Sequence, residues 1–169
     1  MNYSEIKYCD IANGIGVRTS LFVSGCRNKC VGCFNPKTWD FNFGKVFTED
    51  NKKEILDSIR EEYVNGLTLL GGEPFEPENQ KELLDLVLQV KDIEGKNIWA
   101  FTGYTYEYLI ENKIPGVTEW LLDNIDVLID GKFDIEQKDI TLKFRGSRNQ
   151  RIIDLNKTRQ VNRIVLLDL

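Results

Sequence analysis

The stretch Val17-Arg18-Thr19-Ser20-Leu21-Phe22-Val23-Ser24-Gly25-Cys26-Arg27-Asn28-Lys29-Cys30-Val31-Gly32-Cys33 decides the reading of this chain. Residues 17–23 are rich in β-branched and aromatic side chains and read as a strand. The strand stops at Ser24-Gly25, and a Cx3CxxC loop follows at once. Downstream, strand and helix patterns alternate. Thr48 precedes an apolar stripe of Ile55, Leu56, Ile59 and Tyr63, one helical face with Thr48 as its N-cap. Residues 67–70 form a short apolar run between Gly66 and Gly71-Gly72, as a buried strand does. Residues 79–93 carry a broad helical face of Leu83, Leu84, Leu86, Val87, Val90 and Ile93. Further strands are expected over 97–102, 126–130 and 163–167, with short helices over 105–112 and 117–124.

This alternation predicts an α/β fold with a mostly parallel sheet, in a single domain over residues 1–169. Four or five strand–helix units are too few to close an eight-stranded barrel. The expected architecture is therefore a partial, open (β/α) barrel with a curved sheet. In such folds, sites gather at the C-terminal ends of the strands. The cysteine loop, Gly71-Gly72-Glu73 and Thr102-Gly103 each follow a predicted strand, so they are expected on one rim.

Composition narrows the chemistry. The 22 Lys/Arg against 27 Asp/Glu give a net charge of -5, which argues against a general nucleic-acid binder. No run approaches the roughly 20 apolar residues of a membrane span. The first residues, Met1 to Asp10, lack an apolar stretch behind a basic flank, so no secretory signal is expected. Residues 132–163 hold nine Lys/Arg against four Asp/Glu. Lys143, Arg145, Arg148 and Arg151 in that segment read either as a docking surface or as local structure. The absence of histidine removes Ser-His-Asp triads, imidazole proton shuttles and every His-bearing zinc site.

The four cysteines are Cys9, Cys26, Cys30 and Cys33. Three thiols clustered in eight residues cannot all pair as disulfides. The spacing leaves a 4Fe–4S cluster, a zinc site or inert thiols open, with the cluster favoured. Three thiolates on a cubane that normally takes four leave one iron with an open coordination position. Zinc would need a fourth ligand, which Cys9 supplies only if the N-terminal segment folds back over the loop. Outside that case, Cys9 reads as a buried apolar residue or a surface thiol.

Cx3CxxC with Phe34 behind it, and Gly71-Gly72-Glu73-Pro74 after the next strand, resemble the radical S-adenosylmethionine (SAM) enzymes. The flanking segments 13–18, 22–26, 33–39, 101–104, 129–132 and 144–150 are similar to a subfamily of these, the activators of anaerobic ribonucleoside-triphosphate reductases. The resemblance implies that Cys26, Cys30 and Cys33 hold a 4Fe–4S cluster whose fourth iron chelates SAM. It implies the backbone of Gly32, Cys33 and Phe34 against the adenine, and Gly71, Gly72 and Glu73 at the methionine end. It further implies a reductase large subunit as protein substrate, a flavodoxin-type electron donor, and a cytoplasmic location. No side chain is expected to serve as acid, base or nucleophile. The bland alternatives are a tight turn for Gly71-Gly72, a helix-start carboxylate for Glu73, and plain core for Phe34.

Overall fold

The computed structural model describes residues 1–169. Seven strands make one sheet: β1 (Asn2–Asp10), β2 (Arg18–Val23), β3 (Lys45–Val46), β4 (Gly66–Gly71), β5 (Asn97–Phe101), β6 (Val127–Asp130) and β7 (Arg151–Asp154). Their spatial order is β3-β1-β2-β4-β5-β6-β7, so the sheet is open, with β3 and β7 at its edges. The four strands β2, β4, β5 and β6 run parallel at the centre. The flanking strands β1, β3 and β7 pair antiparallel. The fold is thus α/β with an open sheet, parallel at its centre and mixed overall.

Helices α1 (Glu49–Ile59), α2 (Pro77–Lys91), α3 (Tyr106–Glu111) and α4 (Thr118–Asn124) fill the connections between the parallel strands, and α5 (Leu155–Val161) follows β7. Leu21, Leu67, Leu69, Ile98 and Leu128 of the strands meet Ile55, Ile59, Leu83, Leu86 and Leu121 of the helices in one fully buried core. The opposite face is covered as well. Trp99, Val127, Ile129 and Ile152 are buried there, with the Phe144 ring 5.3 Å from that of Trp99. Burial on both faces explains why these strands read as apolar runs rather than alternations.

Thr48 caps α1 through a reciprocal box, its hydroxyl accepting from the Asn51 amide while the Asn51 side chain accepts from the Thr48 amide. Tyr63 departs from the expected stripe. The helix ends at Ile59, the chain turns, and Val64 takes the buried position while Tyr63 is exposed. The strand expected over 163–167 is reduced to a single bridge, Ile153 to Leu166. That segment lies along the outer edge of β7, with the Asp154 amide donating to Val165 O (2.9 Å) and Leu167 to Ile152 O (2.8 Å). Trp120 is exposed on α4.

Arg18 fastens the N-terminal ends of the parallel strands. Its fully buried guanidinium group donates to Thr68 Oγ1 (2.7 Å), Leu67 O (2.8 Å), Asn97 O (3.2 Å) and Ile15 O (3.0 Å). The opposite, C-terminal ends of those strands are left to carry a site.

Candidate metal centre

Cys26, Cys30 and Cys33 follow β2 directly, and all three are partly exposed. The loop turns on the Cys33 amide, which donates to Cys30 O (3.1 Å), and on Gly32 at φ +79°. Backbone bonds anchor its start: Gly25 N–H donates to Thr38 O (2.7 Å) and Cys26 N–H to Trp39 O (3.2 Å). Burial pushes the Cys26 thiol up to about 11 and raises that of Cys30. The neighbouring amides of Asn28 and Lys29 offset part of the rise at Cys26, and that of Phe133 part of the rise at Cys30.

The three rim segments meet as the sequence predicts. Gly72 N–H donates to Val23 O (2.7 Å) and Glu73 N–H to Gly25 O (2.8 Å), which lays Gly71-Gly72-Glu73 against the root of the cysteine loop. A Cβ on Gly72 would meet Gly25 O at 2.7 Å and Thr38 O at 2.9 Å. The double glycine therefore serves a close backbone approach between β4 and the loop.

Glu73 is 1 % exposed. Its carboxylate accepts from Phe75 N (3.0 Å) and Thr102 Oγ1 (2.8 Å) on one oxygen, and from Gly103 N (2.7 Å) and Asn28 Nδ2 (2.9 Å) on the other. A carboxylate has about four acceptor sites, so the protein's own donors fill them all. Burial still pushes this carboxyl up to about 7. Glu73 is thus more than a favourable charge at a helix start: it ties β4, β5 and the cysteine loop together.

Phe34 is 78 % exposed, which overturns the plain-core reading. Its ring lies 5.6 Å from Phe133, and Lys138 Nζ sits 5.7 Å from its centroid. Cys9 lies elsewhere. It is exposed on β1, next to Asp10, which pairs with Arg18 at the far end of β2. Strand rise puts that end roughly 16 Å from the cysteine loop.

The donor set bears differently on a single metal ion and on a cluster. No three His, Cys, Asp or Glu side chains are gathered around one point, as a single clasped ion needs. A cubane spreads its thiolates over separate irons, and three thiols on one exposed loop suit that arrangement. Trp39 Nε1–H, next to the loop's anchor, is a buried donor without an acceptor.

Sequence reasoning missed the side chains around this loop. Arg27 forks onto Glu78, at 2.9 and 2.7 Å, and also bonds Glu76. Its guanidinium lies 4.5 Å from the Phe41 ring centroid. Tyr104 O–H donates to the buried Glu76. Spacer positions in a metal motif carry no pattern of their own. The only sequence signal was the pair of acidic residues, Glu76 and Glu78, at the start of α2. Of the basic segment, Arg151 is bound to buried Asp130 and to Glu107 (2.7 Å), while Arg145 donates to Arg148 O (3.0 Å) and Gln150 O (2.6 Å). Both belong to local structure, which leaves Lys143 and Arg148 facing solvent.

Residues 12–153 match the family model of a 4Fe-4S single cluster domain. Relatives share most of their length with this chain. The anaerobic ribonucleoside-triphosphate reductase-activating protein of Pasteurella multocida is 44 % identical over 153 residues, 89 % of this chain and 95 % of its own. Those of enterobacteria phage T4 and Escherichia coli K12 are 41 % and 39 % identical, covering 90 % and 89 % of this chain and 93 % and 96 % of theirs. The family match thus places the chain in the class of single-cluster iron–sulfur domains. Within that class, the chain belongs to the family of anaerobic ribonucleoside-triphosphate reductase-activating proteins. No helix is long and apolar enough to cross a membrane.

Proposed function

We propose that this chain is a radical SAM activase that generates a glycyl radical on the large subunit of an anaerobic ribonucleoside-triphosphate reductase. The observation that carries this reading is the separation of the cysteines: three on one rim loop, the fourth at the other end of the sheet. Cys26, Cys30 and Cys33 would hold a 4Fe–4S cluster with one iron left for the amino and carboxylate groups of SAM. The cluster would supply one electron for reductive cleavage of the SAM sulfonium, and the nucleoside radical chemistry so provided would remove a hydrogen atom from a glycine α-carbon of the reductase.

The protein's share is orientation. Gly32, Cys33 and Phe34 present backbone and an exposed ring to the adenine. Gly71 and Gly72 bring backbone groups to the methionine end. Glu73 holds the rim closed behind them, and meeting the ammonium group itself requires release of one of its four donors. The open sheet acts as a partial barrel whose unclosed side admits a polypeptide loop. A flavodoxin-type protein in an oxygen-poor cytoplasm supplies the electron.

The test is anaerobic reconstitution with iron and sulfide, then SAM, dithionite and the reductase subunit. Deoxyadenosine together with a glycyl radical in the electron paramagnetic resonance spectrum is expected. Deoxyadenosine without a radical on this reductase, but with one on pyruvate formate-lyase, moves the target to another glycyl radical enzyme. Stoichiometric zinc without a visible chromophore refutes the enzyme reading.

A further inference from the structure

We propose that Arg27 and Asn28 are positioning residues: Glu73, Glu76 and Glu78 grip them so that the amides following Cys26 stay aimed at its sulfur. This rests on the cluster reading of the loop. Between Cys26 and Cys30 the chain must turn within three residues, and Lys29 sits at φ +45°, a left-handed conformation that a non-glycine residue adopts at a cost. The only backbone hydrogen bond within residues 26–33 is that from Cys33 to Cys30. Such a turn does not hold itself.

Side chains supply the missing restraint from three directions. Asn28 Nδ2 donates to Glu73 at 2.9 Å, in a pocket that depends on glycine at 103, where a Cβ would come within 2.4 Å of that nitrogen. Arg27 binds Glu78 with two bonds and Glu76 with a third, and stacks over Phe41. Glu76 is fixed in turn by Tyr104. Glu73 follows β4, Glu76 is the N-cap residue of α2 and Glu78 lies in its first turn, so the two spacer residues are held against the β4–α2 connection.

The amides of Asn28 and Lys29, two and three residues past Cys26, belong to this held turn. Donors to a ligating sulfur stabilise the more electron-rich, reduced cluster and so raise its potential. Arg27 and Asn28 thereby act on the cluster through Cys26.

Arg27→Ala, Asn28→Ala and Glu78→Gln are compared with the parent chain in two measurements. In the metal-free proteins, hydrogen exchange of amides 26–33 is expected to rise roughly three- to fivefold in Arg27→Ala, the range a solvent-facing ion pair commands. After anaerobic loading with iron and sulfide, the cluster's midpoint potential should become more negative in all three variants, least in Glu78→Gln, which is exposed and leaves Arg27 bound to Glu76. A parent that loads iron, with variants matching it in exchange and in potential, overturns the proposal alone. A parent that takes up no iron overturns the cluster reading and the proposal with it.

Discussion

Replacing Gly71 by alanine separates two reasons for a glycine at the end of β4: room for a ligand, or room for β2. Gly71 sits at φ +111°, and a Cβ there would lie 2.6 Å from Val23 N and 2.7 Å from both C and Cα of Phe22. All three are backbone atoms of a strand paired in parallel register with β4, so none can swing aside. A positive φ costs an alanine about 1–2 kcal/mol. Relieving overlaps with packed backbone adds about 1–3 kcal/mol. The total of about 2–5 kcal/mol corresponds to a fall of roughly 10 °C in the thermal midpoint of a chain this long.

Gly95 provides the comparison, since its φ is +81° and nothing lies within 4 Å of an added Cβ. Gly95→Ala therefore carries only the first cost, about 1–2 kcal/mol. The assay is thermal unfolding of the metal-free proteins followed by far-ultraviolet circular dichroism. If Gly71→Ala melts within about 2 °C of Gly95→Ala, a difference below about 1 kcal/mol, the backbone-packing argument is wrong and the glycine is there for a ligand.

Serine at Cys26, Cys30 or Cys33 should each abolish most iron uptake, whereas Cys9→Ser should retain it; a colorimetric iron assay that finds uptake lost in Cys9→Ser refutes the separation of the thiols. Glu73 sets a pH dependence: the folded chain holds its proton up to about 7, the unfolded chain releases it at the ordinary 4.5, so in that window the folded state binds more protons. Stability should therefore fall as pH rises from 5.5 to 8, by up to about 2 kcal/mol at 1.36 kcal/mol per unit, and Glu73→Gln should flatten the urea midpoints. An equal slope in that variant assigns the effect elsewhere. Arg18→Met leaves Thr68 and three carbonyl groups without their donor and should cost about 3 kcal/mol or more in urea unfolding. Arg151→Ala, which strands buried Asp130, should lower the thermal midpoint, while Lys143→Ala should leave it unchanged.

What the sequence made legible follows from how each residue is held. The parallel strands could be read because both their faces are buried, which favours apolar runs such as residues 127–129. Strand β1 could not, because it is a largely exposed strand whose register against β2 is interrupted at two places, so it shows neither an apolar run nor a clean alternation. Strand β7 is only four residues long and sits in a stretch dominated by charge. The three-segment rim was legible because strand ends in α/β folds point one way. The contacts that bind the rim were not. Glu73 to Asn28 spans 45 residues and Arg27 to Glu76 spans 49, and no local pattern encodes pairing at such distances.

Those long-range contacts change how the Gly-Gly-Glu segment should be understood. A carboxylate poised for a ligand would have spare acceptor capacity, and Glu73 has none. Its burial instead puts a group near neutrality, at about 7, where the proton is gained or lost within an ordinary pH range. A neutral carboxyl must donate one bond and so can accept fewer. Of its four partners, Asn28 is the side chain on the cysteine loop, whereas Phe75 and Gly103 offer backbone donors fixed by their neighbours and Thr102 is held in the core. The weakest restraint on Glu73 is thus the one that reaches the cysteine loop, and a ligand group competing for this carboxylate would displace Asn28 first.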